Sequence, residues 1–181
     1  IQLLINRGIK EFEVSDFLIP DYNKLYDPFV FNDMNIAINR VYKALKNNEK
    51  IYIYGDYDAD GVCSSALLFS FLKKLGGDVY CYIPDRKSEG NGININAVNH
   101  IKSCGANLII SVDTGIVAFD EVDLINSLDM DVIITDHHDP ISGKLPNAIA
   151  VINPKREDSD YSFNDLAGVG VTFKFCSAIA L

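Results

Sequence analysis

The chain has 181 residues, of which 48% are hydrophobic and 23% charged, and its 25 Asp and Glu residues outnumber its 16 Lys and Arg residues, for a net charge of −9. The hydrophobic content excludes a disordered chain, and the negative charge excludes a protein that binds DNA through a basic surface all around it. A chain of this length is typical of one ordinary domain with a single core.

Residues 1–32 are expected to form an irregular and partly helical lead-in that packs on a later core. Their apolar positions are scattered and are interrupted by Gly8, Pro20 and Pro28, which favours turns over long regular elements. The remaining residues, 33–181, are assigned to one domain because their hydrophobic pattern becomes regular from that point.

From Asp33 onward the pattern alternates between helix and strand. The first predicted helix has about four turns, with Asn32 or Asp33 available as its N-cap. Five short runs of β-branched or aromatic residues then predict strands: Ile51–Tyr54, Val79–Ile83, Leu108–Val112, Val132–Thr135 and Ile149–Ile152. Because helices are predicted between the first four, we expect a doubly wound α/β fold, with a mainly parallel five-stranded sheet and helices on both faces.

Membrane proteins and disulfide-rich or zinc-binding proteins are disfavoured. The longest charge-free hydrophobic stretch, Val62 to Leu72, is far shorter than the ~20 residues that cross a bilayer. The four cysteines are widely spaced and form no CxxC pair, so neither disulfides nor structural zinc is indicated. We expect a soluble cytoplasmic protein with no membrane partner.

Acidic residues follow three of the predicted strands, at the edge where ligands bind in such sheets. The first strand runs into Asp56, Asp58 and Asp60, whose alternate spacing in an extended segment is predicted to point three carboxylates to one side. The third and fourth strands are followed by Asp113 and by Asp136, His137 and His138. Two carboxylates ~4 Å apart repel by roughly 4 kcal/mol near a protein surface. The cluster therefore predicts bound cations, and this set of oxygen and imidazole ligands suits Mn²⁺ or Mg²⁺ better than zinc.

Two other interpretations of these residues are weaker. The pattern at 56–61 also begins a calcium-binding EF-hand loop, but that loop needs Glu where this chain has Leu67, and a helix where this chain has a predicted strand. A receiver-like signalling domain also gathers acidic residues at strand ends, but it does not require two adjacent histidines. Each motif is weak alone, and the combination is much more specific.

Four segments resemble, in order and spacing, the motifs of the DHH phosphoesterase superfamily: GDYDADG (55–61), SVDTGI (111–116), ITDHHDP (134–140) and LAGVGVTFKF (166–175). Together with the lead-in, they are most similar to the superfamily's 5′→3′ exonucleases specific for single-stranded DNA. The resemblance implies a nuclease of DNA repair and recombination that hydrolyses phosphodiester bonds with two Mn²⁺ or Mg²⁺ ions.

The same resemblance implies a role for each residue of the motifs. It assigns five metal ligands: Asp56, Asp58, Asp60, Asp113 and His137. Asp113 is expected to bridge the two ions. The catalytic pair is expected to be His138, which faces the scissile phosphate, and Asp136, which orients His137.

Substrate contacts are expected from Arg86, which can bind a phosphate through two hydrogen bonds, and from backbone N–H groups of Gly168 and Gly170 at the start of a helix. The alternatives are a solvated surface arginine and, slightly favoured for the glycines, a tight turn with close packing. The family's glycine-rich loop usually reads EGYG, whereas residues 89–92 read EGNG. The aromatic residue of that loop, which could stack on a base or a sugar, is replaced in this chain by Asn91.

The resemblance also implies parts that would follow Leu181: a further metal-binding Asp, a DHH-associated domain and an OB-like domain. We therefore expect a fragment with weak activity by itself, whose partners are single-stranded DNA and other domains of the same protein. A phosphodiesterase for short oligonucleotides or cyclic dinucleotides is one alternative, and the lead-in argues against it. A non-catalytic DNA-binding or scaffold module is another, and the intact carboxylates and histidines argue against that.

Overall fold

In the computed structural model, which describes residues 1–19 and 21–181, a parallel sheet is covered by helices on both faces. Pro20, one of the residues expected to interrupt the lead-in, lies outside the described residues. The strands are β1 (Lys50–Gly55), β2 (Asp78–Tyr82), β3 (Leu108–Val112), β4 (Asp131–Thr135) and β5 (Ala150–Ile152). Each predicted strand end lies within one residue of the observed one, and the fold class is confirmed.

The helices of the described residues are α1 (Gln2–Ile5), α2 (Val14–Leu18), α3 (Met34–Lys46), α4 (Ala59–Lys74), α5 (Ile95–Ser103), α6 (Phe119–Ser127) and α7 (Gly168–Ala180). The helix predicted from Asp33 is therefore confirmed as α3. Gly76 and Gly105 follow the ends of α4 and α5 with φ values of 85° and 82°, the left-handed geometry of a helix C-terminus. Among the described residues, none of the helices combines the length and the apolar character needed to cross a membrane.

All neighbouring strands pair in parallel, in the order β2-β1-β3-β4-β5. The chain adds β2 on one side of β1 and then crosses back to add β3 on the other side. The direction of winding therefore reverses between β1 and β3. Ligands of doubly wound sheets bind at such a reversal, so the residues that follow β1 and β3 lie where a functional site is expected.

Two apolar clusters hold the three layers together. On one face the sheet packs against α3, α4 and α7, with Ile53, Leu68 and Phe175 fully buried. On the other face it packs against α5 and α6, with Ile109 and Val122 fully buried. Burial of each such side chain stabilises the fold by about 1.5–3 kcal/mol, so both helical layers are firmly attached to the sheet that carries the site.

The lead-in packs on α7 and on the loop before it. The ring of Phe31 stacks on that of Tyr161 with 3.9 Å between centroids, and the ammonium group of Lys174 donates a hydrogen bond of 2.5 Å to the carbonyl oxygen of Tyr26. Many other apolar side chains of this segment are exposed, Phe12 and Phe17 among them. The boundary at residue 32 stays a prediction.

Asp33 occupies the N-cap position of α3 but does not cap the helix with its side chain. Its backbone is left-handed, with a φ of 59°, and its carboxylate makes no hydrogen bond to the helix. The carboxylate instead accepts hydrogen bonds from the backbone N–H of Val151 (3.1 Å) and from the guanidinium of Arg156 (2.6 Å). Asp33 therefore connects the start of α3 to β5.

Candidate metal centre

Asp113 directly follows β3 and lies at the centre of the site. Its backbone N–H donates to the carbonyl oxygen of Thr135 (2.9 Å), which holds it level with the end of β4. Its φ of 59° lies in the left-handed region, which Asp tolerates better than most residues. The residue is only 1% exposed. A buried carboxylate on strained backbone is typical of a functional position.

One oxygen of this carboxylate is buried without a hydrogen-bond partner. Nε2 of His137 lies 3.1 Å from Oδ1 of Asp113, yet the two atoms form no hydrogen bond. Nδ1 of His137 lies 2.9 Å from the carbonyl oxygen of Leu166. Because a carbonyl only accepts, Nδ1 carries the proton of the neutral ring and Nε2 keeps its lone pair. Two acceptor atoms thus lie 3.1 Å apart with no proton shared between them, an arrangement that a bound cation stabilises.

Asp113 belongs to two groups of potential ligand atoms. Atoms of Asp113, His137 and His138 lie within 4.8 Å of one another, and so do atoms of Asp113, Asp56 and Asp58. Carboxylate oxygens combined with imidazole nitrogens are a donor set that suits Mn²⁺ or Mg²⁺. One carboxylate that is common to two such groups can take part in binding two ions.

The electrostatics of the cluster agree with its geometry. Burial, reinforced by the negative charges of Asp60 and Asp58, raises the pKa of Asp113 to about 7. The buried carboxylate is therefore costly to ionise, and a divalent cation offsets that cost. The orphaned oxygen, the two neighbouring acceptor atoms and the donor set all fit a divalent metal ion.

The residue spacing predicted that the first motif is extended through Asp60, but the extended backbone ends at Asp58 and Asp60 lies in a helix. Helix α4 begins at Ala59, and the carboxylate of Asp58 caps it by accepting hydrogen bonds from the backbone N–H of Asp60 (2.9 Å) and of Gly61 (3.0 Å). The prediction was wrong because a short acidic side chain just before an apolar helix favours the N-cap. Asp58 nevertheless reaches the site from the helix start, and Asp56 reaches it from the end of β1.

The carboxylate of Asp60, a residue of α4, lies against the first residues of α7. Its two carboxylate oxygens accept hydrogen bonds of 2.7 Å from the backbone N–H groups of Gly168 and Val169. The N-cap residue of α7 is Ala167, which has no side-chain acceptor, so Asp60 supplies the missing cap from α4. The expectation that the N–H of Gly168 binds a substrate anion is corrected, because the protein's own carboxylate occupies it.

Close packing explains the first glycine of the last motif. A Cβ at Gly168 would lie 2.3 Å from Oδ1 of Asp113, and one at Gly170 would lie 3.1 Å from Cδ2 of Leu166. A side chain at Gly168 would displace either the carboxylate or the helix. The structure therefore supports the packing alternative for Gly168. At Gly170 the neighbour is the terminal methyl group of a flexible side chain, so the role of this glycine stays a prediction.

Asp136 orients the ring of His138 and contacts His137 only through its backbone N–H (2.7 Å), which corrects the expected pairing. Oδ1 of Asp136 lies 2.7 Å from Nδ1 of His138, and Oδ2 accepts the backbone N–H of Ile116 (2.9 Å). The ring of His137 is directed instead at the carbonyl oxygen of Leu166. Burial favours a higher pKa for Asp136, but its hydrogen bonds from His138 and Ile116 outweigh burial and lower the pKa. The contact with Asp136 raises the pKa of His138 to about 9, so this imidazole is protonated at neutral pH.

Arg86 lies beside the first motif. Its guanidinium carbon is 5.2 Å from the centroid of the Tyr57 ring, and Tyr57 stands between Asp56 and Asp58 in the chain. Sequence reasoning missed this contact, as it missed the carbonyl of Leu166. Residue spacing predicts neither contact. The sequence does show that α7 lacks a side-chain cap, because Ala167 stands at the N-cap position before Gly168.

The fold and the site together define a class: a doubly wound α/β protein with a carboxylate and imidazole cluster, suited to divalent metals, at the reversal of its sheet. The DHH family, N-terminal domain, matches residues 50–180, and the chain belongs to this family.

The chain is similar in sequence to several proteins that are named as exonucleases. The single-stranded-DNA-specific exonuclease RecJ of Bacillus subtilis (strain 168) is 46% identical over 178 residues, which are 98% of this chain and 22% of that protein. A crystal structure of exonuclease RecJ bound to manganese matches with a TM-score of 0.72 and 32% identity, over 82% of this chain and 37% of that one. RecJ from Thermus thermophilus in complex with Mn²⁺ matches with a TM-score of 0.74 and 28% identity, over 97% of this chain and 24% of that one. The chain spans about a fifth of the length of the B. subtilis protein.

Proposed function

We propose that this chain is the catalytic domain of a RecJ-like exonuclease of DNA repair and recombination, which hydrolyses phosphodiester bonds of single-stranded DNA from the 5′ end. The observation that carries the proposal is the carboxylate of Asp113, which lies close to potential metal-ligand atoms of Asp56 and Asp58 and, separately, to Nε2 of His137. The identity to RecJ of B. subtilis supports the substrate. The RecJ structures that contain manganese support Mn²⁺, with Mg²⁺ as the related alternative.

The metal ligands that we propose are Asp56, Asp58, Asp60, Asp113 and His137. Divalent ions held there supply a water of lowered pKa and stabilise the charge that develops on phosphorus. Each residue is prepared for this role by its surroundings. The carbonyl of Leu166 keeps the lone pair of His137 on Nε2, and each oxygen of Asp60 retains acceptor capacity beside its hydrogen bond to α7.

His138 is proposed to contact the phosphate. Asp136 occupies Nδ1 of this ring, so Nε2–H is available to donate a charge-assisted hydrogen bond to a phosphate oxygen. Asp136 is the positioning residue of the pair, because it fixes the orientation and the protonation of the imidazole.

The partners that we propose are single-stranded DNA and other domains of the full-length protein. The net charge of −9 disfavours a broad phosphate-binding surface on this chain, since affinity for phosphates comes mostly from Lys and Arg. We propose a cytoplasmic location, where the DNA lies and where the four free cysteines stay reduced.

Asp113→Asn in the full-length protein tests the proposal. Asn tolerates left-handed backbone but loses the negative charge that binds the ions, so cleavage of a labelled single-stranded oligonucleotide with Mn²⁺ should fall by at least about 100-fold. The matched control is Asp129→Asn, because Asp129 is exposed and also has a positive φ, of 54°. Normal cleavage by Asp113→Asn would sink the mechanism, and cleavage of dinucleotides in preference to long strands would favour the short-substrate phosphodiesterase.

A further inference from the structure

Arg86 is an exposed cation at the border of the acidic cluster. It lies in the loop 85–92 that follows β2. Within residues 1–19 and 21–181 its guanidinium makes no salt bridge, and its recorded contact is with the ring of Tyr57, 5.2 Å from centroid to guanidinium carbon. An arginine that lies over an aromatic face keeps its N–H groups available for a planar, bidentate contact with a phosphate.

Two hydrogen bonds hold Tyr57 in place, one from its backbone and one from its side chain. Its backbone N–H donates to Oδ1 of Asp56 (2.6 Å), and its hydroxyl donates to Oδ1 of Asn91 (2.6 Å). Asn91 belongs to the same loop as Arg86. The hydroxyl of Tyr57 therefore joins the first motif to the tip of the loop, while its ring contacts the arginine near the loop's start.

The base of this loop is also held in place. The carboxylate of Glu89 accepts hydrogen bonds from the hydroxyl of Tyr82 (2.5 Å), the backbone N–H of Asp85 (2.8 Å) and the side-chain amide of Asn94 (3.2 Å). A loop with a fixed base and a fixed tip holds Arg86 in a restricted region. This arrangement differs from a solvated arginine on a mobile loop.

We propose that Tyr57 and Asn91 are positioning residues, which hold Arg86 beside the carboxylate cluster so that it binds a phosphate group of the substrate strand. The inference rests on the proposed function. The carboxylates of Asp56 and Asp58 repel a phosphate before the ions neutralise them, and Arg86 provides an attractive charge at the border of the same cluster. This contact exists in the ground state as well as in the transition state, so its loss raises KM more than it lowers kcat.

The test is steady-state cleavage of a single-stranded oligonucleotide by variants of the full-length protein. Tyr57→Phe and Asn91→Ala should each raise KM about 3-fold to 10-fold, with kcat within about twofold, because each removes one hydrogen bond. The double variant should match the single ones, since both changes remove the same bond. Asn91→Gln keeps a neutral amide acceptor and should restore most of KM, whereas Arg86→Ala should raise KM more than either positioning variant.

Two further variants separate positioning from a general structural effect. Tyr57→Phe made on top of Arg86→Ala should raise KM no further, because Tyr57 acts through Arg86. Tyr80→Phe changes an exposed tyrosine on β2 and should leave both constants unaltered. Unchanged KM in Tyr57→Phe and Asn91→Ala, with an active parent protein, overturns the inference alone. An inactive parent protein overturns the proposed function, and the inference with it.

Discussion

The side of the sheet at the amino ends of its strands (the amino edge) and the side at their carboxyl ends (the carboxyl edge) differ in how their buried charged groups are paired. At the amino edge the guanidinium of Arg40, from α3, has 5% of its side chain exposed and forms ion pairs with Glu49 (2.6 Å) and with Asp131 (2.5 Å), although its Nη1 has no hydrogen-bond partner. At the carboxyl edge Asp113 is 1% exposed, and one of its oxygens has no partner. A buried charge without a partner is costly. The amino edge therefore stabilises the fold, and the carboxyl edge is prepared to bind a cation.

Hydrogen bonds of the backbone show the same difference. At the amino edge Asn107 joins two strands, because its side chain accepts the N–H of Lys50 (3.0 Å) and its carbonyl accepts the N–H of Asp131 (3.0 Å). At the carboxyl edge Asp113 has a left-handed backbone. The regular geometry ends where the chemistry is proposed to begin, as expected when strain is tolerated for function.

The largest effect on stability is expected at the amino edge. Arg40→Ala removes two charge-assisted hydrogen bonds, to Glu49 and to the partly exposed Asp131, so the free energy of unfolding should fall by about 3 kcal/mol. Urea unfolding measures this change. Arg7→Ala removes an exposed arginine from the lead-in and should change stability by less than about 0.5 kcal/mol. Equal effects of the two variants would contradict the comparison of the edges.

At the carboxyl edge, stabilisation should come from a metal ion. Mn²⁺ at about 100 times its dissociation constant should stabilise the protein by about 2.7 kcal/mol, seen as a higher thermal midpoint that a chelator reverses. His137→Ala should remove most of this increase, because its Nε2 lies 3.1 Å from Asp113. His100→Ala, an exposed histidine at the end of α5, is the control and should keep it. An unchanged midpoint on addition of Mn²⁺ to the parent protein would refute the metal site.

The fold could be predicted because the information it needs is local. The bounds of β3 were predicted without error, because four of its five residues are apolar and the exception is Ser111. The strand is buried throughout. The grouping of Asp56, Asp113 and Asp136 was also predictable, because residues that follow parallel strands meet at one edge of the sheet.

The partners of the site side chains could not be predicted in the same way. Asp60 caps a helix that begins 108 residues later, at Gly168, and His137 is oriented by a carbonyl 29 residues away, at Leu166. These contacts depend on how α7 packs against α4, which residue spacing does not determine. Spacing therefore predicted which residues assemble, whereas the hydrogen bonds that assign their separate roles needed the structure.

The smallest expected effect is a difference between the two edges in how stability depends on pH. The pKa of Asp113 rises from its ordinary 3.8 to about 7 in the metal-free fold, so the folded protein holds this proton more tightly than the unfolded chain does. The resulting stability is fully present below about pH 4 and is lost as the pH rises through about 7. Asp113→Asn has no carboxylate to ionise and so does not lose this stability. With a chelator present, its free energy of unfolding relative to that of the parent protein should therefore rise between pH 4 and pH 8, by about 1–3 kcal/mol. Urea unfolding across this range measures the difference, and a constant difference would show that Asp113 ionises at no cost. Arg40→Ala, by contrast, should destabilise the protein at both ends of the range, because Arg40 stays charged throughout.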